Sequence, residues 1–265
     1  MVLLNLIPFT LAAWLGLFLL GRGPHPRLRL TGLGLLFYAA ALEIDVPNLA
    51  LALRLLPPAL WVGAILHLDQ RITDGHPVLF RLWKWVLLPV TFLLAGFFLF
   101  EPSASAIFPF LGISLLLGLA PLFWTLLLVP DYIALLRPRQ VTGILFTATL
   151  FLGLGEGFLL FPAKWLPQEY ALPAIGIDLL FLGLCIAWFD AFDEGETLLP
   201  SMIRSLVLTL ILAVIFAGQV GFVIAIQTGL TEGMRSLLTT TILAAILIAV
   251  FGNSLENKLD GFAFS

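Results

Sequence analysis

The chain alternates long apolar runs with short polar breaks, and the runs lack the period-two alternation of barrel strands. A membrane-spanning helix needs about 20 mostly apolar residues. Nine runs approach that length, at roughly 2–20, 30–43, 49–68, 84–100, 107–129, 141–161, 173–189, 205–227 and 237–252. The second is short. The third carries Arg54 and the pair Pro57-Pro58, so it is expected to begin as a short surface helix before entering the core. Eight spans is the rival count.

Lys and Arg orient such a chain, because they accumulate in short cytoplasmic loops. With the N-terminus outside and nine alternating spans, the inner segments hold Arg22, Arg27, Arg29, Arg71, Arg81, Lys84, Arg137, Arg139, Arg204 and Lys258. The outer segments hold only Arg54, Lys164 and Arg235. Ten against three supports both the direction and the odd count. The C-terminus then lies in the cytoplasm.

Composition agrees: 61% of residues are hydrophobic and 11% charged, with a mean hydropathy of +1.10. A soluble domain carries about 25% charged residues. The expected fold class is therefore all-α, a polytopic helix bundle in a cell membrane. Residues 1–254 form one transmembrane domain, and 255–265 form a cytoplasmic exit helix or the start of a linker. The lone Cys185 sits in an apolar run, which excludes a disulfide framework and a CxxC metal site. The first run has no Lys or Arg before it, so it reads as a retained helix rather than a cleaved signal.

The loops are short. "GRGPHPRLRL" is a basic turn whose cations are expected near anionic headgroups. "HLDQRITDGHPVLFRLWKW" is the longest cytoplasmic connection, and Trp83, Lys84 and Trp85 read as an interfacial anchor. "AWFDAFDEGETLLPSMIR" places Asp190, Asp193, Glu194 and Glu196 in a cytoplasmic bend between spans seven and eight. If span seven continues outward, Asp190, Asp193 and Glu194 share a helical face. Three readings stand: a solvated loop that starts span eight, a surface that docks a cytoplasmic partner, or a divalent-cation site.

Other polar groups fall inside or beside the spans. Glu156 lies near the outer end of span six, Asp178 near the outer end of span seven, and Gln219 near the middle of span eight. Glu43 and Asp45 end span two on the outer side, where Arg54 begins span three. An acid within lipid is costly and is usually paired, hydrated or protonated. These six residues either neutralise one another structurally or line an outward pocket for a small ligand, ion or proton. Gly155 and Gly157 would let a neighbour approach Glu156 closely. The three histidines, His25, His67 and His76, form no zinc or haem arrangement. No P-loop, GxGxxG or GxSxG motif occurs, so no catalytic residue, metal or cofactor is expected. No nucleic-acid partner is expected either.

Three stretches, "LAAWLGLFLLGRGPHPRLRLTGLGLLFYAAAL", "FDAFDEGETLLPSMIRSL" and the exit "LENKLDGFAFS", resemble the N-terminal multi-helix membrane regions of some bacterial sensor histidine kinases. The resemblance spans most of the chain and rests mainly on shared hydrophobicity. It implies a region that senses a stimulus and an exit helix that carries a dimeric signal to a kinase. The phosphoacceptor helix and ATP-binding boxes are missing here, so this chain is expected to be non-enzymatic. It would be either a piece of a longer protein or a stand-alone relative acting through a kinase-type partner. The expected function is a membrane sensory module, as a homodimer or with such a partner. The alternatives are a small-solute or proton-coupled transporter, with Glu156 and Asp178 binding the ion, and an auxiliary subunit of a membrane complex.

Overall fold

A computed structural model describes residues 2–22, 25–67, 77–100, 198–226 and 237–250, the last without 249, and residues 176–187 without 178 and 182. Every element among the described residues is helical. In chain order they are α1 (Val2–Arg22), α2 (Pro26–Glu43), α3 (Pro47–Leu66), α4 (Pro77–Leu82) and a π-helical turn (Trp83–Leu87). That turn continues into α5 (Leu88–Phe100), and α6 (Leu198–Ile226) follows later in the chain. Helical residues also occupy 176–187 and 237–250. Helices thus stand at seven of the nine expected runs. Runs 107–129 and 141–161 lie outside the described residues, as do the bend at 190–196 and the tail at 255–265.

The first helices form an antiparallel row with α2 in the middle. Three-residue connections between them force neighbours to run in opposite directions. Two glycines on α2 set the spacing. They are two positions apart, so they lie on opposite faces of the helix. Gly32 faces α1: a Cβ there would sit 2.7 Å from the carbonyl oxygen of Gly16, and the reverse substitution would meet the Gly32 carbonyl at 2.9 Å. Gly34 faces α3, where an added Cβ would lie 3.6 Å from Pro57 Cα. Bare backbone on both faces lets both neighbours come close, the device used where helices pack without a large hydrophobic gain.

α3 departs from expectation. It is one continuous helix through Pro57 and Pro58, not a surface helix followed by a span. Each proline removes one backbone donor and crowds the carbonyl four residues back. Pro57 is buried against the glycine face of α2, where no side chain competes for the space. Packing on α2 thus supports a helix that local propensity alone would break. α2 is also longer than expected, starting at Pro26 rather than residue 30. Proline is well suited to this first turn, where its missing N–H has no intrahelical role.

The fourth run begins earlier too. α4, the π turn and α5 join head to tail from Pro77 to Phe100. In the wide turn the Leu88 N–H reaches the Trp83 carbonyl, five residues back. Pro89 accounts for this locally, because it has no N–H to offer Trp85 and its ring would crowd that carbonyl. The segment packs antiparallel to α3. Trp83 and Leu87 meet Ala59, Val62 and Leu66, while Leu94 and Ala95 meet Ala52, Leu55 and Leu56.

The main core lies between α1 and α2 and takes in Leu179, Ile186, Leu238, Ile242 and Ile246 from the later helices. Trp14 anchors α1 to α6 by donating its Nε1–H to Ser205 Oγ at 3.1 Å. α6 begins two turns before the expected span, at Leu198, and its Pro200 falls in the first turn.

Candidate functional site

The antiparallel row sorts the charged residues by end. Arg22 closes α1, Arg27 and Arg29 open α2, His67 caps α3, and Arg81 and Lys84 lie at the start of the α4 segment. All belong to one end of the row. Glu43 closes α2, and Asp45 sits in the turn before α3, at the opposite end. The intervening helices are 18 to 21 residues long, about 27–32 Å at helical rise.

At the acidic end, Glu43 is half-buried and its Oε2 accepts a hydrogen bond from Thr239 Oγ1 at 2.9 Å. The contact ties the end of α2 to the start of the helix at 237–248. Asp45 is exposed two residues further on. Arg54 follows on α3, in the half of the helix nearer this end. Arg54 is half-buried seven residues into α3, about 10 Å along the helix from its start. Glu156 and Asp178 lie outside the described residues. Gln219 lies on α6, with its side chain also outside the described set. Of the six expected residues, the structure describes Glu43 and Asp45 at this end and Arg54 in the near half of α3, and it adds Thr239.

Thr239 escaped the sequence reading because one hydroxyl in an apolar run carries little signal. The run Thr239-Thr240-Thr241 was the available hint. Thr240 and Thr241 turn their hydroxyls back to the Leu237 carbonyl, at 3.0 and 2.7 Å, leaving Thr239 to reach across. Chemically the pair is a carboxylate with one oxygen held by a neutral donor, beside an exposed carboxylate. No group of three or more metal-binding side chains occurs among the described residues.

The basic end holds an aromatic cluster. Trp83 is buried and donates its indole N–H to the Ala59 carbonyl at 2.8 Å. It is a packing residue, not the interfacial anchor expected from its place in the chain. Trp85 takes that exposed position instead, with Lys84 Nζ 5.8 Å from its ring centroid. The His67 ring stands edge-on to Phe80 and Trp83, with centroids 5.2 and 5.6 Å away. His67 Nδ1 lies 2.7 Å from the Gly63 carbonyl. A carbonyl can only accept, so Nδ1 carries the proton. The basic turn also splits: Arg29 is exposed as expected, but Arg27 is buried among the helices.

Two described stretches, Asn48–Leu66 and Phe80–Phe97, are long and apolar enough to cross a membrane, a test that the core helix of a soluble protein also passes. The two differ in cover. Asn48–Leu66 is 71% buried, while Phe80–Phe97 is only 28% buried. No protein-family model, curated protein or solved structure matches the chain.

Proposed function

We propose that the chain is a multi-pass bundle of nine membrane helices, N-terminus outside, that senses a stimulus at its acidic end and passes it to a cytoplasmic output. The separation of charge supports the membrane part. Among the described residues, Arg22, Arg27, Arg29, Arg81 and Lys84 gather at one end of helices about 30 Å long, the thickness of a hydrocarbon core, and Glu43 and Asp45 lie at the other. An apolar stretch of which only 28% is buried, as Phe80–Phe97 is, would be costly in water and is at home in lipid.

The Thr239–Glu43 contact carries the sensory part. It pins the outer start of the last helix to α2, and that helix runs toward the tail at 255–265. A stimulus that changes this contact moves one rigid element whose far end faces the cytoplasm. Such coupling requires different affinities for the two arrangements. The described interior is largely apolar. Its buried polar residues are Arg27, Thr31, Thr91 and Thr209. Thr31 and Thr91 bond their own helix at Arg27 and Leu87. No polar path across the row arises among the described residues.

Two experiments test the reading. In a Cys185→Ser background, Asp45→Cys should react with an impermeant maleimide on intact cells, and Asp193→Cys only after permeabilisation. The reverse pattern, or equal reactivity, ends the membrane orientation. Next, spin labels at Arg29→Cys and Lys258→Cys should change separation when Thr239→Val removes the donor to Glu43. An unchanged distance distribution ends the coupling. Proton or solute flux in liposomes that is lost in Glu156→Gln would favour the transporter instead.

A further inference from the structure

The surface of the α4–α5 segment carries one apolar stripe from end to end. Val78, Leu82, Trp85, Val86, Pro89, Phe92, Leu93 and Phe97 are all exposed. Steps of three and four residues keep them on one side. Trp85 is 71% exposed and Leu93 73% exposed, so no described helix covers either side chain. Arg81 and Lys84 flank its first turns, and both are exposed. Arg81 spends its Nε–H on the Pro77 carbonyl at 3.3 Å. Its terminal nitrogens point to no described carboxylate, and the contact recorded for Lys84 is the Trp85 ring.

We propose that this surface binds one anionic phospholipid of the inner leaflet, with its phosphate on Arg81 and Lys84, its glycerol level with Trp85, and an acyl chain along Pro89, Phe92, Leu93 and Phe97. The inference rests on the membrane reading above. Charge complementarity and continuity select this occupant. Among the described residues no carboxylate meets the two cations; a phosphodiester supplies such an anion, and only a molecule with a long apolar tail also fills the stripe that leads away from them. Arg81 offers two terminal N–H donors to phosphate oxygens, and Lys84 adds a mobile point charge. The indole of Trp85 suits the headgroup boundary, apolar on its face and a donor at its edge.

The test uses the purified full chain in neutral detergent. Native mass spectrometry compares phosphatidylglycerol with phosphatidylcholine of equal acyl length. Each cation near an anionic lipid strengthens binding about five-fold, so two give about a thirty-fold preference for phosphatidylglycerol. The pair Arg81→Gln with Lys84→Gln should abolish the preference. The charge-keeping swap Arg81→Lys with Lys84→Arg should retain most of it, which guards against mere misfolding. Arg29→Gln, at the same end but off the stripe, should leave it unchanged. Equal affinity for the two lipids, or a preference that survives the double Gln variant, overturns the proposal. Alkaline carbonate extraction of cell membranes separates the two readings. A chain that extracts refutes membrane insertion itself, whereas one that stays but shows no lipid preference refutes only the bound lipid.

Discussion

Gly63→Ala is the most informative single change. Gly63 lies in the last turns of α3, directly beneath the Trp83 indole. An added Cβ would overlap Cζ2 and Cε2 of the ring and approach Cη2 to 2.9 Å. The ring has little room to retreat, since it is buried between Ala59, Val62 and Leu66 and is fixed by its N–H bond to the Ala59 carbonyl. Overpacking a rigid site costs about 1–3 kcal/mol. Displacing the indole would also forfeit a hydrogen bond with a net worth of about 1 kcal/mol. Against this, alanine is the better helix former by about 1 kcal/mol. The balance is a loss of about 2 kcal/mol. Unfolding of the full chain in mixed micelles, titrated with a denaturing detergent, measures it. In a Trp83→Leu background the clash is gone, so the same substitution should turn mildly stabilising. The sign change is the decisive feature of this double-mutant cycle. A neutral Gly63→Ala, or a penalty that persists without the indole, would refute the packing described for α3 and Trp83.

Four further outcomes follow from the same geometry. Gly16→Ala drives a Cβ to 2.9 Å from a backbone oxygen of Gly32, which cannot rotate away, and should cost about 1–2 kcal/mol in the same titration. Gly96→Ala meets nothing within 4 Å and should instead stabilise by up to about 1 kcal/mol. Trp14→Phe and Ser205→Ala each remove one side of the 3.1 Å bond between α1 and α6, and their cycle should return a coupling of about 1 kcal/mol; additive losses would show that the bond contributes nothing. Thr209 is 1% exposed, and its hydroxyl has no hydrogen-bond partner among the described residues, so Thr209→Val, which replaces the hydroxyl with a methyl of similar size, should raise stability by about 1 kcal/mol; a loss would reveal a hidden partner.

The apolar runs by themselves determined where helices form, because only a helix satisfies every backbone group within a long run that has nothing polar to offer. They also fixed the spacing of Lys and Arg that sorts cations to one end, since short connections leave antiparallel packing as the available arrangement. The candidate site was half legible on the same grounds: Glu43 and Asp45 end a run and so had to share an end of the bundle. What pairs with what was decided elsewhere. Thr239 reaches Glu43 across nearly two hundred residues of chain, and no local pattern encodes that distance. Trp83 looked interfacial beside Lys84 and Trp85, yet it is buried because Gly63 on a different helix leaves a recess of the right size. Pro57-Pro58 would end a helix judged by propensity, but the bare face of Gly34 gives α3 a surface to pack on. Hydrophobicity is a property of each stretch, whereas recesses, crossings and hydrogen bonds belong to pairs of stretches, so only the tertiary structure could set them.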